Sequence, residues 1–176
     1  MSITDSQRRL VVMILSGGML LLLTRQTNHL LAPWGLSLWL GGLLVAFPAL
    51  HLNFRTGLVS CLATGLLLDV WSPLGFGTHA LLFGLAHVVI FRIRNRLAAS
   101  ELTIGIIVAL IANLALFVLL SFWTLGHAPV SGLRILSDLV MSQLVLAFIT
   151  PWFFALQLRA ISLILRPWRT RVRSGM

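Results

Sequence analysis

The chain reads as an all-α integral membrane protein of six transmembrane helices, and three observations predict it. Hydrophobic residues make up 59% of its 176 residues and charged residues 10%, where a soluble domain carries about 25% charged residues. Such a chain cannot cover a water-facing surface. Apolar runs recur along the whole length, and a helix needs roughly 20 mostly apolar residues to cross a bilayer core. They lack the alternation of barrel strands of about ten residues. The basic residues, 13 in all and every one an arginine, cluster at the ends of these runs.

The predicted spans are about 10–24, 34–50, 56–72, 77–93, 102–124 and 135–157. Residues 1–176 form a single transmembrane domain, with 158–176 as a basic cytoplasmic tail, and no room is left for a soluble catalytic domain. Span one lies between Arg8-Arg9 and Thr24-Arg25-Gln26. It has the charged start and apolar centre of a signal peptide, but no small-residue cleavage site follows. It is therefore expected to stay as a span. Pro33 suits the first turn of span two, where its missing N–H costs nothing.

Span three carries the packing signal. Gly57, Cys61 and Gly65 step by four along one helix face, and small residues on such a face admit a second helix. Asp69 is the next position on that line. Pro73 ends the span, and the Pro73-Leu-Gly75 turn leads into span four. Glu101 opens span five behind Ser100 as a candidate N-cap. In the first turns of span six, Arg134 and Asp138 stand four apart, and an outer ion pair is expected there. Pro151 should kink span six. The tail residues Arg166, Trp168, Arg169, Arg171 and Arg173 suit the lipid headgroup layer.

Orientation follows from the arginines. With six spans, Arg8, Arg9, Arg55, Arg92, Arg94, Arg96, Arg159, Arg166, Arg169, Arg171 and Arg173 fall on one side, and only Arg25 and Arg134 on the other. The positive-inside rule then puts both termini in the cytoplasm. Clustered this way, the charge reports topology and membrane lipid rather than nucleic acid.

Chemistry-bearing groups are sparse. The five histidines show no close metal-ligand spacing, so no metal is expected. The chain lacks a phosphate-cradling loop with its lysine, a protease-type serine context and a carboxylate pair on one span. No catalytic residue and no cofactor are predicted. No internal repeat supports an inverted-repeat transporter.

That leaves Asp69, an acid near the end of an apolar helix. The helix dipole opposes it there, and insertion of an intramembrane Asp costs roughly 2.5–3.5 kcal/mol at mid-depth. Three compensations are open. Backbone N–H groups at Thr78 or His79 can cap the carboxylate across the turn. His79, or an arginine of another chain, can pair with it. Or it can be protonated, as in a relay. The turn favours the first.

Gly65-Leu-Leu-Leu-Asp69, Ser72-Pro-Leu-Gly75 and the run into Arg92-Ile-Arg-Asn-Arg96 resemble the MreD family of rod-shape-determining proteins. The likeness is best from about Phe47 to Leu97. The family's Gly-Leu…Asp position falls on Gly65, Leu66 and Asp69, and its Pro-Leu-Gly turn on Pro73, Leu74 and Gly75. The resemblance implies a noncatalytic scaffold of the bacterial inner membrane, within the cell-wall elongation complex that makes peptidoglycan. Its implied partners are an MreC-like bitopic protein, the elongation transpeptidase and glycosyltransferase, and an MreB-like filament. It also implies a six-helix fold similar to the substrate-binding subunits of energy-coupling-factor transporters. A vitamin-binding subunit of such a transporter, and a small channel or proton-coupled carrier using Asp69, stand as the other readings.

Overall fold

The structure, a computed structural model, describes residues 3–96, 102–125 and 131–173, with side chains described over 5–96, 102–123 and 131–163. Among these residues every regular element is helical. The α-helices are α1 Ile3–Leu31, α2 Gly41–His51, α3 Phe54–Asp69, α4 Thr78–Ile93, α5 Leu102–Leu125 and α6 Gly132–Arg173. Single 3-10 turns lie at Ala32–Trp34 and Arg94–Arg96.

Specific contacts fix the helix directions. Asn28 near the end of α1 bonds the Leu38 backbone just before α2, and Arg25 lies 5.2 Å over the Trp71 ring just after α3. The start of α4 meets the end of α3 through Asp69. Asp138, early in α6, bonds Ser37. These residues define one end of the bundle, called here the Asp69 end. At the other, Arg94 follows α4 and donates to the last carbonyls of α2, Leu52 O at 2.8 Å and Ala49 O at 3.3 Å. A cation there meets the negative end of the α2 dipole. Successive helices thus run up and down between the Asp69 end and the Arg94 end.

α2 is the centre of the molecule. Every residue from Gly41 to Leu50 is buried, which is why the sequence there is apolar all round instead of striped. Phe47 packs edge-on against Phe154 of α6 and stacks on His51. Glycines set the close approaches. A Cβ on Gly42 would strike the α5 backbone at Ala109 and Asn113, and one on Gly17 would stand 2.7 Å from the Thr64 methyl of α3.

Three helices, α1, α5 and α6, are long and apolar enough to cross a membrane by themselves. α2 has 11 residues, and α3 and α4 have 16 each. At 1.5 Å per residue they fall short of a hydrocarbon core of about 30 Å.

Several boundaries differ from the sequence expectation, each for a physical reason. Span one was expected at 10–24, yet α1 continues to Leu31. The polar residues at its end do not break it, because Thr24 and Thr27 return their hydroxyls to Leu20 O and Leu23 O. Pro33 lies in the 3-10 turn after α1, not in the first turn of the next helix. Span two was expected as helix from 34, but residues 36–40 are non-helical and α2 begins at Gly41. Gly35, at φ +69°, starts this departure. α6 stays helical through Pro151, beside which Thr150 Oγ1 donates to Leu146 O (2.6 Å). The tail expected from 158 is, up to Arg173, a continuation of α6. The side chains of Arg166, Trp168, Arg169, Arg171 and Arg173 lie outside the described residues, as do Ser100 and Glu101.

Candidate functional site

Two buried polar knots hold the Asp69 end together. The first closes the α3–α4 hairpin. Asp69 Oδ1 accepts the His79 N–H (2.9 Å) and faces His79 Nδ1 at 2.6 Å. Oδ2 accepts the N–H groups of Gly77 (3.0 Å) and Ala80 (3.2 Å). Asp69 and His79 are 4% and 3% exposed, so these bonds are shielded from competing water.

The turn between the helices makes this possible. Ser72 Oγ accepts the Leu74 N–H, and Thr78 donates both its N–H and its hydroxyl to Gly75 O. Thr78 is thus committed to the turn and leaves Asp69 to its neighbours. Gly77 takes φ +93° at the N-cap of α4, a backbone region that suits glycine. The loop bends back so that the positive end of α4 meets the carboxylate, which offsets the unfavourable dipole of α3.

The acceptor count is telling. An ionised carboxylate offers about four lone-pair sites, and all four here are filled from within the hairpin. Three of the partners are backbone donors, from which the carboxylate accepts, and His79 Nδ1 makes the fourth contact.

The small-residue line fits the same hairpin. A Cβ on Gly65 would stand 2.5 Å from Ala80 Cα, and one on Gly57 would strike the His87 ring. Cys61 is fully buried between them, with Sγ 3.8 Å from His87 Nδ1. Gly57, Cys61 and Gly65 therefore bring α3 against α4 of the same chain.

The second knot supports the non-helical stretch before α2. Asp138 takes the Ser37 N–H on Oδ1 and the Ser37 hydroxyl on Oδ2, both at 2.8 Å. Asn28 takes the Leu38 N–H (2.6 Å) and donates to Leu38 O (2.9 Å). Ser142 Oγ takes the Trp39 N–H (2.9 Å). Non-helical backbone is tolerated in a membrane when protein groups satisfy it. This corrects the expected Arg134–Asp138 ion pair. Asp138 turns inward and is 8% exposed, whereas Arg134 faces outward at the start of α6. The pair Asp69–His79 is the one salt bridge among the described residues. Spacing by four allowed Arg134 and Asp138 to meet, but the long-range demand of the Ser37 backbone prevailed. Asn113 likewise serves backbone, accepting the Gly42 N–H at 3.0 Å.

Between the knots lies a cavity of about 270 Å³. Arg25, Trp39, Gly41, Trp71, Ser72 and His79 contribute to its wall. Trp39 packs on His79 with ring centroids 5.5 Å apart, and so ties the two knots together. Asp69 orients His79 much as a carboxylate orients a catalytic imidazole. Ser72, however, is engaged with Leu74 and makes no bond to that ring. Among the described residues no group of three metal-ligating side chains converges.

Among the described residues the fold and the site define an all-helical bundle with three membrane-length helices and a doubly locked polar end. No protein-family model, curated protein or solved structure matched it.

Proposed function

We propose that this chain is a noncatalytic scaffold of the bacterial inner membrane, acting in cell-wall elongation as the MreD family does. One observation carries the reading. Gly65, Asp69, Pro73 and Gly75, which bear the family resemblance, belong to a single structural unit, the α3–α4 hairpin. A motif whose residues lock a hairpin suits a protein that presents a shaped surface to partners. In this reading all six helices cross the membrane, both termini are cytoplasmic, and the Asp69 end faces outward. The short helix α2 crosses buried at the centre of the bundle, and α3 and α4 cross as a hairpin packed on it with their outer faces exposed. The partners are an MreC-like bitopic protein and the elongation transpeptidase and glycosyltransferase, with an MreB-like filament on the cytoplasmic side.

The cavity at the Asp69 end favours a second reading, a vitamin-binding subunit of an energy-coupling-factor transporter, since such a subunit needs an outward polar and aromatic pocket. Co-purification of the tagged protein from cross-linked cells separates the two. Recovery of MreC-like and wall-synthesis proteins is expected. Recovery of a transporter ATPase pair without them would overturn the scaffold reading.

A further inference from the structure

We propose that the Asp69 end holds one anionic phospholipid, with its phosphate in the 270 Å³ cavity and an acyl chain in the apolar groove between α1 and α6. The inference requires the membrane setting but not the scaffold reading.

The cavity has the chemistry of an anion site. Arg25 supplies a full charge and has no carboxylate partner among the described residues. Its guanidinium lies 5.2 Å over Trp71, within cation–π range. The Trp39 indole N–H is buried without an acceptor, a costly condition that a ligand oxygen relieves. Gly41 begins α2 at this wall, where the helix dipole is positive, with the Gly42 and Leu43 N–H groups already held by Asn113 Oδ1 and Leu40 O. No acidic side chain contributes to the wall, and Asp69 is already saturated behind His79.

The volume argues for a headgroup. Pockets for whole small molecules run from about 300 to 1,000 Å³, and this one, at the small end of that range, has room for a phosphate-bearing headgroup. The rest has a place to go. The α1–α6 groove, about 860 Å³, is lined almost wholly by apolar side chains. Leu20, Thr24, Leu38 and Leu40 line both spaces, so the headgroup cavity and the groove share one wall. A polar cavity abutting a long apolar track matches an amphiphile. Arginine and tryptophan at this depth also match the headgroup layer.

Native mass spectrometry tests this on the full chain, purified in detergent with an equal mixture of phosphatidylglycerol and phosphatidylcholine. One phosphatidylglycerol should be retained per chain. Arg25→Gln should lower its occupancy roughly tenfold, the loss of a charge-assisted bond. Arg134→Gln, which removes a cation at the same end but outside the cavity, should not. Met19→Trp, which fills the groove and leaves Arg25 in place, should also lower occupancy, and it decides the matter if Arg25→Gln does not fold. Equal retention in wild type and both cavity and groove variants overturns the proposal. So does tight binding of soluble glycerol 3-phosphate in lipid-free micelles, which would make the cavity a site for free phosphate esters.

Discussion

Asp69 is the residue on which the hairpin turns. Its carboxylate oxygens meet three backbone N–H groups and one imidazole nitrogen. Replacement by Asn keeps one oxygen for Gly77 and Ala80, and its amide can donate to a His79 ring that has shifted its proton to Nε2. One bond, from the His79 N–H, is lost, at about 1 kcal/mol. Replacement by Leu leaves three buried N–H groups without acceptors, at roughly 3 kcal/mol or more. Thermal melting in detergent should therefore rank wild type above Asp69→Asn and Asp69→Leu last. Equal melting of all three would remove the lock from any account of this fold. Much of this arrangement was readable in the sequence, because Asp69 and its partners are only eight to eleven positions apart. A proline-glycine turn after an acid leaves few other places for that acid to go. Its choice of Gly77 and Ala80 alongside His79, with Thr78 passed over, was not readable. That depends on Thr78 closing its own turn onto Gly75.

Among the elements, the α3–α4 seam and the non-helical stretch before α2 differ in how openly the sequence declares them. The seam is local, and the step of four at Gly57, Cys61 and Gly65 marks it. Gly65→Ala should force the helices apart, since its Cβ would stand 2.5 Å from Ala80 Cα. The cost of such overpacking is about 1–3 kcal/mol. Gly18→Ala is the matched control, because nothing lies within 4 Å of its Cβ position. It should be neutral or stabilising by up to about 1 kcal/mol. A drop in melting temperature of the same size for both would mean that helix propensity, not close approach, governs the seam. The stretch 36–40 offers no such signal. Its sequence, Leu-Ser-Leu-Trp-Leu, extends smoothly into an apolar run, and its partners Asp138 and Ser142 lie 101 and 103 positions away. Local patterning reads it as helix. Only the assembled bundle supplies the side chains that let its backbone leave the helix.

For the whole molecule, the up-and-down order of the helices makes a claim about the membrane. Among the described residues three helices are long and apolar enough to cross it by themselves, and in the six-span reading the shorter ones cross with the bundle they sit in. If all six cross, the turn at Gly75 and the segment at Asn95 lie on opposite faces. If α2, α3 and α4 instead return to one surface without crossing, both positions come out on one face. The native chain is well suited to the test, since its single cysteine, Cys61, is fully buried and should give little background labelling. Gly75 and Asn95 are both exposed, and a Cβ at Gly75 meets only Thr78 Oγ1, at 3.7 Å. In intact cells a membrane-impermeant maleimide should label Gly75→Cys. Asn95→Cys should react only after permeabilisation, because in the proposed topology Arg92, Arg94 and Arg96 put that segment on the cytoplasmic side by the positive-inside rule. Labelling of both from outside, or of neither until the membrane is opened, would overturn the six-span map, and the second outcome would also move the locked Asp69 end away from the outer surface.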